Sequence, residues 1–387
     1  MNNERVKLIM QDVLSILYRL FWIFKIDRKK IICINFSGRG YGDSPKYVIE
    51  QLLNKNPNYK VYWVFNGKGK VESNFHQVKY VKRFSIKHMY CMATSKIWIS
   101  NNRIEHYFKK RKNQIYIQTW HGGIALKKIE YDAEDKLSRI YKKTMKSDNK
   151  NIDFMISNSR FCTEMYRNAF RYDGEILEYG TPKNDLLINN KQDAEDNVRK
   201  FFGLKDEKIL LYAPTFRKNY DSNPYDIDFK RLQSLLEEKN TKWKIFIRLH
   251  PIVKNPEKLI SNYKNYVNAC NYPDIQELIC SSDLIITDYS SVMFDGMIAG
   301  KPVVLYARDI DSYKDERGYY FSFESLPFPL SKNNRELFEL FKNNNLLDNI
   351  SGRYSSFEKK IGLMEKGHSS EKVSALIEKL LNGEDDG

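Results

Sequence analysis

Ser281-Ser282-Asp283-Leu284-Ile285-Ile286-Thr287-Asp288-Tyr289-Ser290-Ser291-Val292-Met293-Phe294-Asp295-Gly296 is a short apolar run closed by an aspartate and followed by a helix signal. An apolar run of this length, without polar alternation, reads as a strand buried on both faces, the pattern of a parallel sheet. Ser290 and Ser291 then fall in the first turn of the helix. Backbone N–H groups there lack intrahelical partners, and with the hydroxyls and the helix dipole they cradle an anion such as phosphate. Simple N-capping accounts for one serine but not for the whole Asp-Tyr-Ser-Ser cluster. Gly300-Lys301-Pro302 turns the chain into the next apolar run at 302–306, which completes a strand–helix–strand unit.

The same alternation extends outward. Strand-like runs stand at 31–36, 60–65, 78–82, 96–100, 114–119, 153–158 and 175–179. After a polar stretch at 183–208 they resume at 209–213, 243–249, 266–270, 283–288 and 302–306. Strands alternating with helices make parallel sheets covered on both faces. These are too many for one compact sheet, so the polar stretch reads as a linker. The fold expected is α/β, with two Rossmann-like parallel-sheet domains at 31–185 and 186–387, after a helix in residues 1–30. With 42% apolar and 14% aromatic residues in 387, wholesale disorder is excluded. Five widely spaced cysteines without a CxxC exclude a disulfide framework and a cysteine zinc site. No uncharged apolar run reaches the ~18–20 residues of a spanning helix. No small-residue cleavage site follows the apolar N-terminal part, so a cytosolic protein is expected.

Within residues 5–30, Ile9, Val13, Ile16, Leu17, Leu20 and Phe24 form one stripe at helical spacing, with Gln11, Asp12, Ser15 and Arg19 opposite. Trp22 and Ile23 make the last turn apolar all round, and Arg28, Lys29 and Lys30 follow at once. An amphipathic helix of this kind suits a membrane interface, and it equally suits packing on the protein's own core. Charge adds to the first reading. Residues 1–150 hold 31 Lys and Arg against 12 Asp and Glu, whereas 151–387 hold 33 against 37. The whole net charge of +15 therefore comes from the N-terminal part, which attracts nucleic acid, anionic lipid or a polyanionic substrate.

Ligands of open α/β sheets bind beyond the carboxyl ends of the strands, so strand-end residues carry the functional reading. Ser37-Gly38-Arg39-Gly40-Tyr41-Gly42 is GxGxG rather than GxGxxG, and the next strand ends in Phe65-Asn66-Gly67 without an acidic residue for a ribose. It reads as a tight turn, with Gly40 on the acceptor side. Gln118-Thr119-Trp120-His121-Gly122-Gly123 places a histidine beside two glycines at a strand end, suited to taking a proton from a hydroxyl. Gly122, Gly123 and the following Lys127 join it on the acceptor side. Thr215 and Arg217 end one later strand, and Arg248 and His250 the next. Two arginines and a histidine near a common edge form an anion site.

Taken in order, the pieces GRGYGDSPKY (39–47 from its arginine), QTWHGG…LKKI (118–129), GTPKND (180–185), LYAPTFR (211–217), RLHP (248–251), SSDLIITDYSSVMFD (281–295), GKPVVLY (300–306) and ERGYY (316–320) resemble the CDP-glycerol glycerophosphotransferase family of teichoic acid polymerases and primases. The resemblance implies a GT-B fold, two Rossmann-like domains facing a cleft. It implies transfer of a polyol phosphate from a CDP-linked donor to a hydroxyl of a lipid-linked acceptor at the inner membrane face. The family's essential histidines fall on His121 and His250, and its donor-phosphate contacts on Arg248, His250, Asp288, Ser290 and Ser291. Two positions depart from the family pattern: Gly123-Ile124 after the first histidine, and Phe321-Ser322 after ERGYY.

Residue chemistry and resemblance meet in one expected mechanism. His121 takes the acceptor hydroxyl's proton, while Arg248, His250 and the helix start at Ser290–Ser291 hold the donor pyrophosphate and stabilise leaving CMP. CDP-glycerol is the donor expected, with CDP-ribitol as the alternative in the same chemistry. No cofactor is expected. No carboxylate but Asp288 faces the phosphate motifs, so no tightly held metal is expected either, although diffusible Mg²⁺ stays open. A GT-B glycosyltransferase using a nucleotide sugar is the competing class. A nucleic-acid-binding role is disfavoured, because the basic excess lies in an α/β domain without a nucleic-acid module. The sequence leaves oligomeric state open.

Overall fold

The apolar runs become parallel strands. In the computed structural model, residues 2–67, 73–189, 191–215, 226–238, 241–249, 253, 266–310, 318–342 and 349–383 are described. The first sheet contains β1 (Asp27–Ile34), β2 (Lys60–Phe65), β3 (Val78–Lys82), β4 (Ser95–Ser100), β5 (Ile115–Gln118), β6 (Phe154–Ile156) and β7 (Glu175–Leu177). Its order is β3-β2-β1-β4-β5-β6-β7 and every pairing is parallel. The second sheet contains β8 (Lys208–Tyr212), β9 (Trp243–Ile247), β10 (Val267–Asn268), β11 (Leu284–Thr287), β12 (Val303–Tyr306) and β13 (Leu330–Ser331). Its order is β10-β9-β8-β11-β12-β13, again all parallel. Ile31 to Ile34 and Leu284 to Thr287 are buried throughout, as central strands covered on both faces must be.

Two units result. The first is drawn from residues 1–123, 129–185 and 364–387, and the second from 124–128 and 186–363. This departs from a second domain running through 186–387, because the last helix, Ser369–Asn382, belongs to the first unit. Its Val373, Ile377 and Leu381 enter the core built on Val48, Leu52 and Trp63. The Asp185 carboxylate accepts from Ser369 N (2.9 Å) and Ser370 N (2.7 Å), capping that helix from a distant part of the chain. The Glu365 carboxylate accepts from Asn158 Nδ2, Thr181 N and Asn184 Nδ2. The GTPKND stretch is thus the dock for the C-terminal segment.

The chain passes from the first unit to the second inside 183–208, between Asp185 and Leu186, but the stretch is structured rather than a bare linker. It holds a 3₁₀ turn (Pro182–Asn184) and the helices Asp185–Ile188 and Lys191–Phe202. Only Ala194 and Val198 of the longer helix are buried, one turn apart, and so narrow a stripe leaves the segment polar in composition.

The N-terminal helix, Asn2–Arg19, continues into a 3₁₀ turn, Leu20–Ile23. It is held by its polar side. Glu4 accepts from Ile140 N (3.2 Å), Asp12 pairs with Lys143 (2.6 Å), and Tyr18 is buried edge-on against Phe108. The apolar stripe faces outward instead: Ile9 is 64% exposed, Ile16 66%, Leu20 63% and Ile23 81%. Lys30 leaves the basic flank expected after this helix. It is buried in β1, with Nζ donating to Thr94 Oγ1 (2.7 Å) and lying over the rings of Tyr62 and Tyr90.

Candidate active site

In the first unit, β1, β4 and β5 are neighbours whose carboxyl ends lie in register: Ile34 pairs with Ser100, and Ser100 with Gln118. The residues that follow those ends meet. After β5, Trp120 takes a left-handed backbone (φ 52°), with its N–H on Gln118 Oε1 (2.9 Å). Its indole is buried against Phe170, and the Arg103 guanidinium stacks on Phe170. Arg103 is itself fixed by Glu130, Asp148 and Asn149. On this floor lies His121, its ring 4.4 Å from that of Trp120.

His121 Nδ1 is 2.7 Å from the carbonyl oxygen of Asn101. A carbonyl only accepts, so Nδ1 carries the proton and Nε2 keeps its lone pair. Burial pushes the imidazole pKa below its ordinary value. The Asn101 carbonyl and the Asp43 carboxylate pull it back up, and Lys183 opposes them. A neutral histidine in this tautomer leaves Nε2 uncommitted by this bond.

The glycines divide. A Cβ on Gly123 would collide with the Asn158 carboxamide, 2.9 Å from its Cγ, whereas one on Gly122 would meet nothing within 4 Å. Gly40 adopts φ 70° and its carbonyl accepts from Trp63 Nε1 (3.0 Å), which makes it a turn residue by this geometry. Lys127 follows the histidine motif in sequence. It belongs to the second unit, where its Nζ lies 5.9 Å from the Tyr289 ring centre and its backbone bridges Tyr319.

In the second unit, β9, β8 and β11 are adjacent, and Tyr212 pairs with both Ile247 and Ile286. The ends of these strands bring Arg248, Thr215 and Asp288 to one edge. Asp288 is buried, and its Oδ1 accepts from Thr215 N (2.8 Å) and Tyr289 N (2.6 Å). It therefore holds two loops together. The Arg248 Nη1 donates to the carbonyls of Ala269 (2.8 Å) and Tyr272 (2.6 Å). One edge of the guanidinium is thus anchored to the loop after β10, while burial lowers its pKa. Ser291 opens the helix Val292–Ile298 without a side-chain capping bond, and Ser290 Oγ accepts from Val292 N at 3.4 Å. Capping at most weakly engages the two hydroxyls. Tyr289 is fixed by Asp309 and stacked on Tyr319. Gly318 O and Tyr320 N bond Lys128 and Leu126, which joins the ERGYY segment to the one after the histidine motif. His250 and Arg217 lie outside the described residues.

Sequence reading missed Asp43, Asn101 and Lys183. Asp43 and Lys183 stand inside quoted motifs to which no role was given. Asn101 directly follows β4, so the strand-end rule applied to that strand points to it.

A family model described as CDP-glycerol:poly(glycerophosphate) glycerophosphotransferase matches residues 16–379. The teichoic acid poly(glycerol phosphate) polymerase of Staphylococcus epidermidis is 36% identical over 372 residues, which are 91% of this chain and 50% of that protein. The chain thus spans about half the length of that relative. The polymerase of the same description from Bacillus spizizenii is 33% identical over 95% of this chain and 96% of its own. The solved wall teichoic acid polymerase TagF, in crystals soaked with CDPG, superposes with a TM-score of 0.84 at 32% identity, covering 99% of this chain and 97% of that one. Two parallel-sheet α/β units, a strand-end histidine and a full-length match of this kind have one reading: the chain belongs to the CDP-glycerol:poly(glycerophosphate) glycerophosphotransferase family.

Proposed function

We propose that this chain transfers glycerol phosphate from CDP-glycerol to a hydroxyl of a lipid-linked acceptor and releases CMP, in the synthesis of teichoic acid or a related surface polymer. The observation that carries the reading is the His121 Nδ1 bond to the Asn101 carbonyl, which reserves Nε2 for a proton. Nε2 takes the acceptor O–H proton. The oxygen forms a bond to the phosphorus that bears glycerol, and the bond from that phosphorus to the CMP oxygen breaks. Arg248 and the helix start at Ser290–Ser291 offset the charge on the phosphates. By resemblance His250 shares that task, and by its place after a strand end so does Arg217, with Asp288 and Thr215 joining the loops. The mechanism calls for no resident metal or cofactor.

The reading extends to where the enzyme works, as a peripheral protein on the anionic cytoplasmic face of the membrane. No described helix is long and apolar enough to cross a membrane. The outward stripe of the N-terminal helix supports docking, and Phe84 and Ile86, exposed at 63% and 76%, add apolar surface at the start of the helix Ile86–Thr94. Product analysis by mass spectrometry tests the chemistry. A lipid acceptor is given CDP-glycerol, CDP-ribitol or a UDP-sugar in turn. Addition of glycerol phosphate with stoichiometric CMP is expected, and addition of a sugar overturns the reading.

A further inference from the structure

We propose that Phe36 is a substrate-contacting residue of the His121 site, its ring receiving the C–H face of the polyol or sugar unit whose hydroxyl reacts. The inference deepens the proposed reaction and rests on the reading of His121 as the base that acts on that hydroxyl. His121 has two aromatic neighbours, and they differ in what they meet. Trp120, 4.4 Å away between ring centres, is buried and belongs to the floor. Phe36, 5.4 Å away and tilted by 59°, is 39% exposed.

A lone exposed phenylalanine is ordinary on a protein surface. The backbone beneath this one is not. Phe36 (φ 40°) and Ser37 (φ 56°) are consecutive left-handed residues, and neither is glycine. A bulky side chain is an outlier in that region, whereas glycine enters it without steric cost. A turn alone is served better by glycine, as Gly38 (φ 91°) and Gly40 (φ 70°) serve it in the same loop. Residues held in such strain persist only where their surroundings over-determine them, and they cluster at ligand contacts.

Asn101 and Asn102, directly after β4, supply the restraint. Asn101 Oδ1 accepts from Phe36 N (2.8 Å), and Asn102 Oδ1 from Ser37 N (3.0 Å). Asn101 Nδ2 donates to Asn35 Oδ1 (2.7 Å), and Asn35 Nδ2 to the Arg39 carbonyl (2.9 Å), which ties down the rest of the loop. The Asn101 carbonyl is also the group that holds His121 Nδ1 (2.7 Å). One residue therefore anchors both the base and the backbone that carries the ring beside it, so their spacing is set before a substrate arrives. Such pre-organisation reduces the ordering cost of binding. A glycerol or sugar unit carries its hydroxyls on carbons with apolar C–H bonds. The negative face of an aromatic ring attracts those groups, and covering the ring removes apolar surface from water. A phosphate gains nothing of the kind, which assigns the contact to the acceptor unit rather than to the donor's pyrophosphate.

The test is steady-state kinetics with two synthetic acceptors, an alkyl glycoside and the same glycoside capped with glycerol phosphate, together with calorimetry of CDP-glycerol binding. Phe36→Gly removes the ring and accepts the backbone, Phe36→Ala removes it by a separate route, and Phe36→Tyr keeps an aromatic face. In the Gly and Ala variants acceptor KM is expected to rise about tenfold, with kcat within about threefold and CDP-glycerol affinity unchanged, and Phe36→Tyr to restore KM. A rise for the capped acceptor alone assigns the contact to glycerol, for the uncapped one alone to the sugar, and for both to the C–H face they share. An unchanged acceptor KM in whichever ring-less variant folds overturns the inference and leaves the base assignment standing. A fall in kcat alone also overturns it, since the ring would then only steady His121. If His121→Ala keeps full turnover, the reading of the base fails instead.

Discussion

A histidine that spends Nδ1 on a backbone carbonyl has one nitrogen left for chemistry, and on the proposed reading its removal takes away the base and spares the residues assigned to the donor phosphates. His121→Ala should therefore cut turnover by ~10²–10⁴ and leave CDP-glycerol affinity nearly unchanged, as single-turnover kinetics and calorimetry would show. Collapse of donor binding with high residual turnover would refute that role. A second histidine bears on acid stability. His88 is buried edge-on against Phe108 and accepts from Phe84 N (3.3 Å), and desolvation, helped by the charge of Arg83, pushes its pKa down to about 3. The unfolded chain binds that proton near pH 6.5 and the folded chain does not, so stability is lost as pH falls from 6.5 toward 3. The loss is about 2 kcal/mol by pH 5. His88→Phe should cost about 1 kcal/mol at pH 7 through the lost acceptor, yet show a shallower fall in melting midpoint between pH 7 and 5. An unchanged slope would mean that other groups carry the acid sensitivity. Residues of this scale were legible where chemistry and position coincide in the chain, as at His121 and Arg248. Asp43 and Lys183 were not, because their relevance lies in what they face: 78 and 62 residues separate them from His121.

Elements were legible wherever burial is complete. β12 is an unbroken apolar run, β11 is one up to Thr287, and β1 and β4 hold such runs at Ile31–Ile34 and Ile97–Ile99, the mark of parallel strands covered on both faces. β13, two residues long, carries no such signal, and the helix Lys191–Phe202 hides behind its polar faces. The destination of the last helix was equally hidden. Its apolar stripe of Val373, Ile377 and Leu381 fits any sheet, and what selects the first is Asp185, which accepts from its first two N–H groups, together with Glu365 just before it, which accepts from Asn158, Thr181 and Asn184. Ile377→Ala should consequently cost about 2–4 kcal/mol in urea denaturation of the first unit, by transfer loss plus cavity. CDP-glycerol affinity should not change, since Ile377 and the donor-phosphate residues belong to different units. A cost under about 0.5 kcal/mol would mean that the helix is attached by its polar anchors alone.

For the molecule as a whole, charge and exposed apolar surface coincide. The 31 basic against 12 acidic residues of 1–150 set up a positive field, and the stripe from Ile9 to Phe24 faces outward rather than into the core. Packing on the protein's own core, the rival account of that helix, would have buried the stripe; Asp12, Tyr18 and Glu4 make the contacts instead. Apolar side chains kept in water at such exposure favour insertion at a headgroup boundary, and each Lys or Arg nearby adds about 1 kcal/mol on an anionic surface. Lys30 adds nothing, being sequestered, so the flank is Arg28 and Lys29 with Lys25. Deleting residues 1–28 would confuse docking with folding, because Asp27 opens β1 and pairs with Lys60 (2.9 Å), and Tyr18 is core. Substitution of exposed residues avoids this. Ile16→Gln, Leu20→Gln and Ile23→Gln together should leave the melting midpoint unchanged and lower recovery with anionic liposomes by at least about tenfold in flotation. Wild-type recovery should itself fall with added salt, as screening within ~8–10 Å removes the electrostatic share, and fall again with neutral lipid. Equal flotation of the variant and the wild type, indifferent to lipid charge and to salt, would show that this face meets something other than a membrane.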